Sequence, residues 1–151
     1  WGHDKATRFL MAPEFKPTPG AEGWQLSNPP ILAMAPLAAS LEHFAAAGLP
    51  ALRHKSVALT GYFERLVLAR LAGRVEIITP SAPQERGAAL SLRLVGLTRD
   101  RARAVFDGLR QRSILPDWRE PDVIRAAPVP FYNSFDDAWR CVDALHAELA
   151  A

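Results

Sequence analysis

One arginine stands in an otherwise apolar stretch near the C-terminal end, and it is the first candidate for chemistry. Arg125 lies between Ile124 and a run of alanine, proline and valine. A guanidinium in apolar surroundings requires a carboxylate or phosphate partner, because an unpaired buried cation is costly. The partner is either a carboxylate of the protein, the commoner case, or a ligand carboxylate held by two hydrogen bonds. No acidic residue follows until Asp136, so the pattern favours a ligand.

A second cluster combines small polar side chains with prolines. Ser27 and Asn28 come directly before Pro29 and Pro30, whose rings stiffen the backbone. The segment is either a turn that leads into a helix or a rigid platform that presents Ser27 and Asn28 to a ligand. On these residues alone, both interpretations stay open.

The first residues, Trp1 to Lys5, also carry candidate groups. His3 stands beside Asp4, but adjacent residues rarely chelate one ion and no second histidine is near, so no metal site is predicted. Lysine can form a Schiff base, and Lys5 and Lys55 are candidates for that role. Most exposed lysines are simply solvated, and Lys55 stands in a charged helical stretch, so neither is predicted to react.

Composition excludes several classes of protein. The 151 residues are 49% apolar and 23% charged, which is typical of a globular chain. A net charge of only +2 does not indicate a nucleic-acid binder, and no apolar run approaches the roughly 18 residues of a membrane span. The single cysteine, Cys141, allows no internal disulfide. We therefore expect a cytoplasmic protein.

The pattern of apolar residues predicts the elements that position these groups. Residues 1–30, rich in proline and aromatic residues, should form turns and extended segments pinned against protein, here or elsewhere. Helical spacing and two-residue alternation give the following order: helix 31–48 beginning near Pro36, helix 51–72, strand 75–78, strand 88–95, helix 99–112 after Thr98, loop and short strand 114–124, and a helix after the Ser134/Asp137 capping box. The expected fold class is α+β, with helices packed on one face of a small antiparallel sheet.

Taken together, the motifs resemble kynureninase, a fold-type I pyridoxal-phosphate enzyme. Five segments carry the resemblance in the order of the family: WGHDKATRF, GWQLSNPPIL, RHKSVALTGYFE, IITPSAPQERGAALSL and DWREPDVIRAAPVPFYNSFDD. The resemblance implies that residues 1–35 are the C-terminal edge of the large cofactor domain. It implies that residues 36–151 are linking helices and the C-terminal small domain.

The resemblance also implies an activity. The family hydrolyses L-kynurenine, and usually 3-hydroxykynurenine, to anthranilate or its 3-hydroxy form and L-alanine, in tryptophan catabolism and NAD biosynthesis. Arg125 would bind the α-carboxylate of the substrate and His3 would line its aromatic end. Asn28, with Ser27 beside it, would contact substrate and cofactor from the partner subunit of a homodimer. Trp1 stands in the family's aromatic pair before Gly2, and would contact the cofactor if it is the cofactor-contacting member of that pair.

One departure limits what this chain can do. The family's Schiff-base lysine lies upstream of the matching segments, and none of the three lysines occupies its place. Together with a start at Trp1 instead of Met, this indicates a C-terminal fragment that is inactive alone. Two alternatives stay open: a non-catalytic binding module, and another fold-type I enzyme such as a cysteine desulfurase. The second is weakened because Cys141 falls within a predicted helix.

Overall fold

The computed structural model describes residues 2–151 and divides the chain into two compact units. The first unit ends at Ala46, and the second spans Ala47–Ala151. The boundary predicted from the sequence stood earlier, between residues 35 and 36. The structure thus leaves nearly all of the first long helix with the N-terminal unit. The assignment of residues 1–35 and 36–151 to two domains of a larger enzyme stays a prediction.

The first unit consists of paired loops, a short 3-10 helix at Gly20–Trp24 and helix α1 at Ile31–Ala47. The loops pair through backbone hydrogen bonds: the N–H of Thr18 donates to the Gly2 carbonyl at 2.8 Å, and the N–H of Asp4 donates to the Lys16 carbonyl at 2.7 Å. This agrees with the predicted turns and extended segments. Trp24 is 85% exposed, so the described residues do not cover its side chain.

Helix α1 begins earlier than predicted. The carbonyl of Pro30 accepts hydrogen bonds from the N–H groups of Ala33 and Met34 at 2.9 and 3.0 Å, which starts the helix before Pro36. Pro36 lies inside the helix, where it cannot donate to the carbonyl one turn earlier. The helix tolerates the loss of that one bond, so the expectation of a start near Pro36 was wrong.

The second unit has three helices and a four-stranded sheet. Its elements are α2 (Leu49–Arg70), β1 (Val75–Ile77), a 3-10 turn (Pro83–Glu85), β2 (Leu90–Leu94), α3 (Arg99–Gln111), β3 (Asp117–Arg119), β4 (Val123–Ala126) and α4 (Phe135–Ala150). The strands are antiparallel and lie in the order β1-β2-β4-β3. The predicted α+β class is confirmed. The segment predicted as loop and one short strand contains β3, and Arg125 lies on a further strand, β4.

One face of this sheet is buried under the helices. Leu90, Leu92 and Leu94 alternate along β2 and are at most 1% exposed. Ile124 and Ala126 of β4 lie beside them, and the helices and their ends contribute Phe63, Val67, Leu71, Ala102, Val105, Phe106, Leu109, Ala138, Val142 and Leu145. Burying each large apolar side chain stabilises the fold by about 1.5–3 kcal/mol. The alternation therefore determines which strand residues face away from the helices.

The predicted caps begin α3 and α4. The Thr98 hydroxyl accepts from the N–H of Arg101 at 3.3 Å. Before α4, the Ser134 hydroxyl accepts from the N–H of Asp137, and the Asp137 carboxylate accepts from the N–H of Ser134 at 2.8 Å. This reciprocal pair satisfies two backbone donors that the first turn leaves free. It thereby fixes where the loop after Arg125 ends.

Candidate functional site

The face of the sheet opposite the core carries Arg125 in a row of polar residues. Its cross-strand neighbours are Ser91 on β2 and Asp117 on β3. Side chains directly opposite one another on antiparallel strands point to the same side of the sheet. Ser91, Arg125 and Asp117 therefore share the face that the helices leave open.

Arg125 has a carboxylate partner within the protein. Its Nη2 donates to Oδ2 of Asp117 at 2.5 Å, and the two side chains are 44% and 46% exposed. Of the two partners that the sequence left open, the protein carboxylate is therefore present, although the residues after Arg125 favoured a ligand. Asp117 precedes Arg125 by eight residues, whereas the stretch that lacks carboxylates follows Arg125. Recognising residues 117–126 as a hairpin would have revealed the pair.

The pairing leaves most of the Arg125 guanidinium available. A guanidinium has five N–H donors, and Asp117 receives one of them, from Nη2. Across residues 2–151, no other protein acceptor lies within hydrogen-bonding distance of Arg125. One edge with two parallel N–H groups is therefore free. Such an edge matches a ligand carboxylate.

His3 is held in the first unit by both ring nitrogens. The N–H of Lys16 donates to Nδ1 at 3.2 Å, so in the neutral ring the proton is on Nε2. Nε2 then donates to the Thr7 hydroxyl at 3.3 Å, and that hydroxyl donates to Oδ2 of Asp4 at 2.7 Å. The hydrogen bond from the Thr7 hydroxyl is the main reason that the pKa of Asp4 lies below its ordinary value. Phe15 packs against the same ring, with the two ring centroids 5.5 Å apart. His3 therefore offers a ligand the remaining surface of its ring, not a free nitrogen.

Two glycines allow backbone segments beside His3 to pack closely together. Gly2 is buried against the backbone of Gly23, and a Cβ at Gly2 would collide with the Gly23 carbonyl. A Cβ at Gly23 would come within 2.5 Å of the Thr18 carbonyl. Only residues without a side chain allow this approach. The approach links the loop that carries His3 to the segment that leads to Ser27.

Ser27 and Asn28 lie in the open segment just before α1. Both are exposed, and within the described part of the chain neither side chain makes a hydrogen bond to protein. The Ser27 carbonyl accepts from the side-chain amide of Gln25 at 2.9 Å. The segment is thus an entry to a helix, and it also leaves a hydroxyl and an amide free for a ligand, so both sequence interpretations remain compatible with it.

The predicted site residues are distributed over both units. His3, Ser27 and Asn28 belong to the first unit and Arg125 to the second, while Trp1 lies outside the described residues. Lys5 forms an exposed ion pair with Glu22 at 3.3 Å. Among residues 2–151, no group of three or more histidine, cysteine, aspartate or glutamate side chains is placed to bind a metal ion.

Cys141 lies in α4 and lines a cavity of about 390 Å³ in the second unit. Burial raises the pKa of its thiol to about 11. A thiol with a raised pKa is a poor nucleophile near neutral pH, because the thiolate is the reactive form. A rigid helical position and a raised pKa both disfavour a role in carrying sulfur.

The comparisons with known proteins agree on one family. Residues 52–145 match the family model described as the kynureninase C-terminal domain, so the second unit is a domain of this class. The kynureninase of Stenotrophomonas maltophilia is 59% identical over 147 residues, which are 97% of this chain and 34% of that protein. The kynureninase of Xanthomonas campestris is 55% identical over all 151 residues, 35% of its length. The chain belongs to the kynureninase family.

The match covers only part of these relatives. The chain spans about a third of the length of the curated kynureninases it matches.

Among the described residues, no single helix is long and apolar enough to cross a membrane, and α1 and α2 satisfy that test only when they are counted together.

Proposed function

We propose that this chain is the C-terminal part of a kynureninase that hydrolyses L-kynurenine, or its 3-hydroxy form, to the anthranilate product and L-alanine. The observation that carries the proposal is Arg125 on the open face of the sheet, in a chain 59% identical to a curated kynureninase. The substrate is an α-amino acid, and its carboxylate is the group that a free guanidinium edge binds.

Each remaining residue has a role that its surroundings support. Asn28 and Ser27 present a free amide and a free hydroxyl, which suit the oxygens of a cofactor and of the substrate. His3 is oriented by Lys16 and Thr7, and its ring is suited to line the aromatic end of the substrate. These roles form one hypothesis, which covers His3, Ser27, Asn28 and Arg125. In the same hypothesis, Trp1 contacts the cofactor.

The proposed cofactor is pyridoxal 5′-phosphate, which withdraws electrons from the substrate when it is bound. The exposed polar groups of Ser27 and Asn28 fit a supporting contact with such a group. None of the three lysines fits its covalent attachment: Lys5 pairs with Glu22, Lys16 is exposed in a loop, and Lys55 lies within α2. We therefore propose that residues 1–151 alone are inactive. A cytoplasmic homodimer with shared active sites completes the proposal.

The test uses the full-length enzyme that carries this segment. We expect it to release anthranilate from L-kynurenine and the Arg125→Ala variant to show a sharply raised KM. Losing a charge-assisted pair with a ligand carboxylate costs on the order of 2–5 kcal/mol, or roughly 30-fold or more in kcat/KM. Arg93→Ala is the matched control, because Arg93 lies on the same face and pairs with Glu76 at 2.9 Å. Unchanged kinetics for Arg125→Ala would contradict the assignment.

A further inference from the structure

We propose that Asp117 is a positioning residue that orients the Arg125 guanidinium toward the substrate carboxylate. The inference deepens the proposed function and rests on it. Asp117 and Arg125 are directly opposite one another on β3 and β4, and their side chains meet at 2.5 Å on the open face. Neither side chain is buried, so the core does not determine where the guanidinium points. The contact with Asp117 determines where the guanidinium points.

A second arginine holds the carboxylate in place. Nη2 of Arg119 lies 2.7 Å from the same Oδ2 of Asp117 that accepts from Arg125. Arg119 is two residues along β3 from Asp117, so both side chains lie on the same face. Asp117 is thus held from two directions and separates two guanidinium groups that would otherwise repel each other.

The position of the contact on the guanidinium matters for the substrate. Nη2 carries two hydrogens, one on the edge shared with Nε and one on the edge shared with Nη1. Asp117 takes one of these hydrogens, so one complete two-hydrogen edge of Arg125 remains. A carboxylate bound to that edge receives two parallel hydrogen bonds, which fix its plane as well as its distance. Asp117 would thereby orient the whole α-amino acid part of the substrate.

The charges give the inference a sharp test. Arg119, Arg125 and Asp117 together carry one net positive charge, which one substrate carboxylate neutralises. Replacing Asp117 by asparagine raises that charge to two. If charge alone mattered, the variant would bind the substrate carboxylate more tightly. If Asp117 positions Arg125, the variant binds it more weakly.

The experiment compares variants of the full-length enzyme by steady-state kinetics on L-kynurenine. For Asp117→Asn we expect KM to rise about tenfold and kcat to change less than about twofold. The reason is that the contact between Arg125 and the substrate carboxylate contributes equally to binding the substrate and the transition state, so its loss weakens binding without slowing the bound reaction. The matched control is Glu76→Gln, which breaks the cross-strand pair with Arg93 on the same face and should leave KM unchanged. An unchanged or lowered KM for Asp117→Asn would overturn the inference, as would an equal rise in the control.

A substrate analogue separates positioning from a general structural effect. Kynurenine whose α-carboxyl group is replaced by a neutral amide has no carboxylate to orient, so the original enzyme and Asp117→Asn should process it with equal kcat/KM. A further loss on this analogue would overturn the inference. If Asp117→Asn does not fold, Arg119→Gln removes one of the two contacts that hold Asp117 and should raise KM by a smaller factor. An unchanged KM there would also overturn it.

The two proposals fail in different ways. If Arg125 does not bind the substrate, Arg125→Ala has ordinary kinetics whatever Asp117 does. If Arg125 binds the substrate but Asp117 does not orient it, Arg125→Ala is impaired and Asp117→Asn is not.

Discussion

Glu64 of α2 and Arg86 of the loop before β2 form a buried ion pair. Oε2 of Glu64 lies 2.7 Å from Nη1 of Arg86, and the two side chains are 13% and 3% exposed. The Ser81 hydroxyl donates to the other Glu64 oxygen at 2.5 Å, and Arg86 also donates to the Pro80 carbonyl. These contacts join the longest helix to the loop between β1 and β2, and that loop leads directly into the strand that lies beside Arg125.

The first prediction concerns the stability of this pair. Replacing Glu64 by alanine leaves the Arg86 charge buried without its carboxylate, which should lower the free energy of unfolding by about 3 kcal/mol. Urea unfolding followed by circular dichroism measures the change. The matched control is Glu76→Ala, because Glu76 forms an exposed pair with Arg93, and exposed pairs contribute less than about 1 kcal/mol. Equal losses in both variants would contradict the prediction.

The second prediction concerns pH. Burial by itself raises the pKa of Glu64, but hydrogen bonds from Ser81 and Arg86 and the Arg86 charge outweigh it, so the pKa lies below the ordinary 4.5. A carboxyl with a lowered pKa stabilises the fold fully above its unfolded pKa, and that contribution disappears as the pH falls through the folded pKa. The stability difference between the original chain and Glu64→Gln should therefore shrink as the pH is lowered from 7 to below about 4.5.

Urea midpoints at several pH values test this second expectation. A difference that stays constant down to the acid limit would show that the Glu64 carboxylate does not carry the effect. Other carboxyls also contribute to acid unfolding. The pKa of Asp137 is lowered by its capping bonds with Ser134, so only the difference between the two chains isolates Glu64.

The third prediction concerns the thiol of Cys141. With a pKa of about 11, roughly one thiol in a thousand is ionised at pH 8, against about a quarter of an unperturbed cysteine. Iodoacetamide should therefore label the folded chain at least a hundredfold more slowly than the urea-unfolded chain, which is the control. Fast labelling of the folded chain, measured by mass spectrometry, would show that the thiol is open and ionised.

The fourth prediction concerns the cofactor. When the 151-residue chain is incubated with pyridoxal phosphate and then reduced with borohydride, no single lysine should be labelled stoichiometrically. Lys5 and Lys16, which are exposed, and Lys55, which is half-buried, should each react slowly and in part, as amines outside a dedicated site do. Peptide mapping by mass spectrometry identifies the labelled positions, and the full-length enzyme is the positive control. Complete labelling at one of the three lysines would contradict the proposal that this chain is inactive alone.

Local signals predicted much of the fold. The Thr98 cap and the Ser134/Asp137 capping box marked two helix starts correctly, because a cap depends on residues within one turn. The alternation of Leu90, Leu92 and Leu94 located β2 and its buried face. In contrast, the start of α1 was wrong, because proline is unfavourable in a helix interior but one missing hydrogen bond does not end the helix.

The pairings between distant residues could not be predicted in the same way. Arg86 and Glu64 meet across 22 residues, and Arg125 and Asp117 meet only because β3 and β4 pair in one particular register. Register depends on the turn and on the core as a whole, not on the two residues themselves. The resemblance to kynureninase suggested the proposed role of Arg125, but its contact with the Asp117 carboxylate became visible only in the fold.

The two-residue alternation of β4 has an evolutionary consequence. Ile124 is buried and Arg125 lies on the open face, so inserting a single residue between Val123 and Ile124 would exchange their sides of the sheet. The guanidinium would then enter the core and the isoleucine would enter solvent. A change of one residue in chain length is therefore costly in this strand unless a β-bulge absorbs it, even where substitutions are tolerated. Among related domains, insertions should therefore be more frequent in the loops than within residues 123–126.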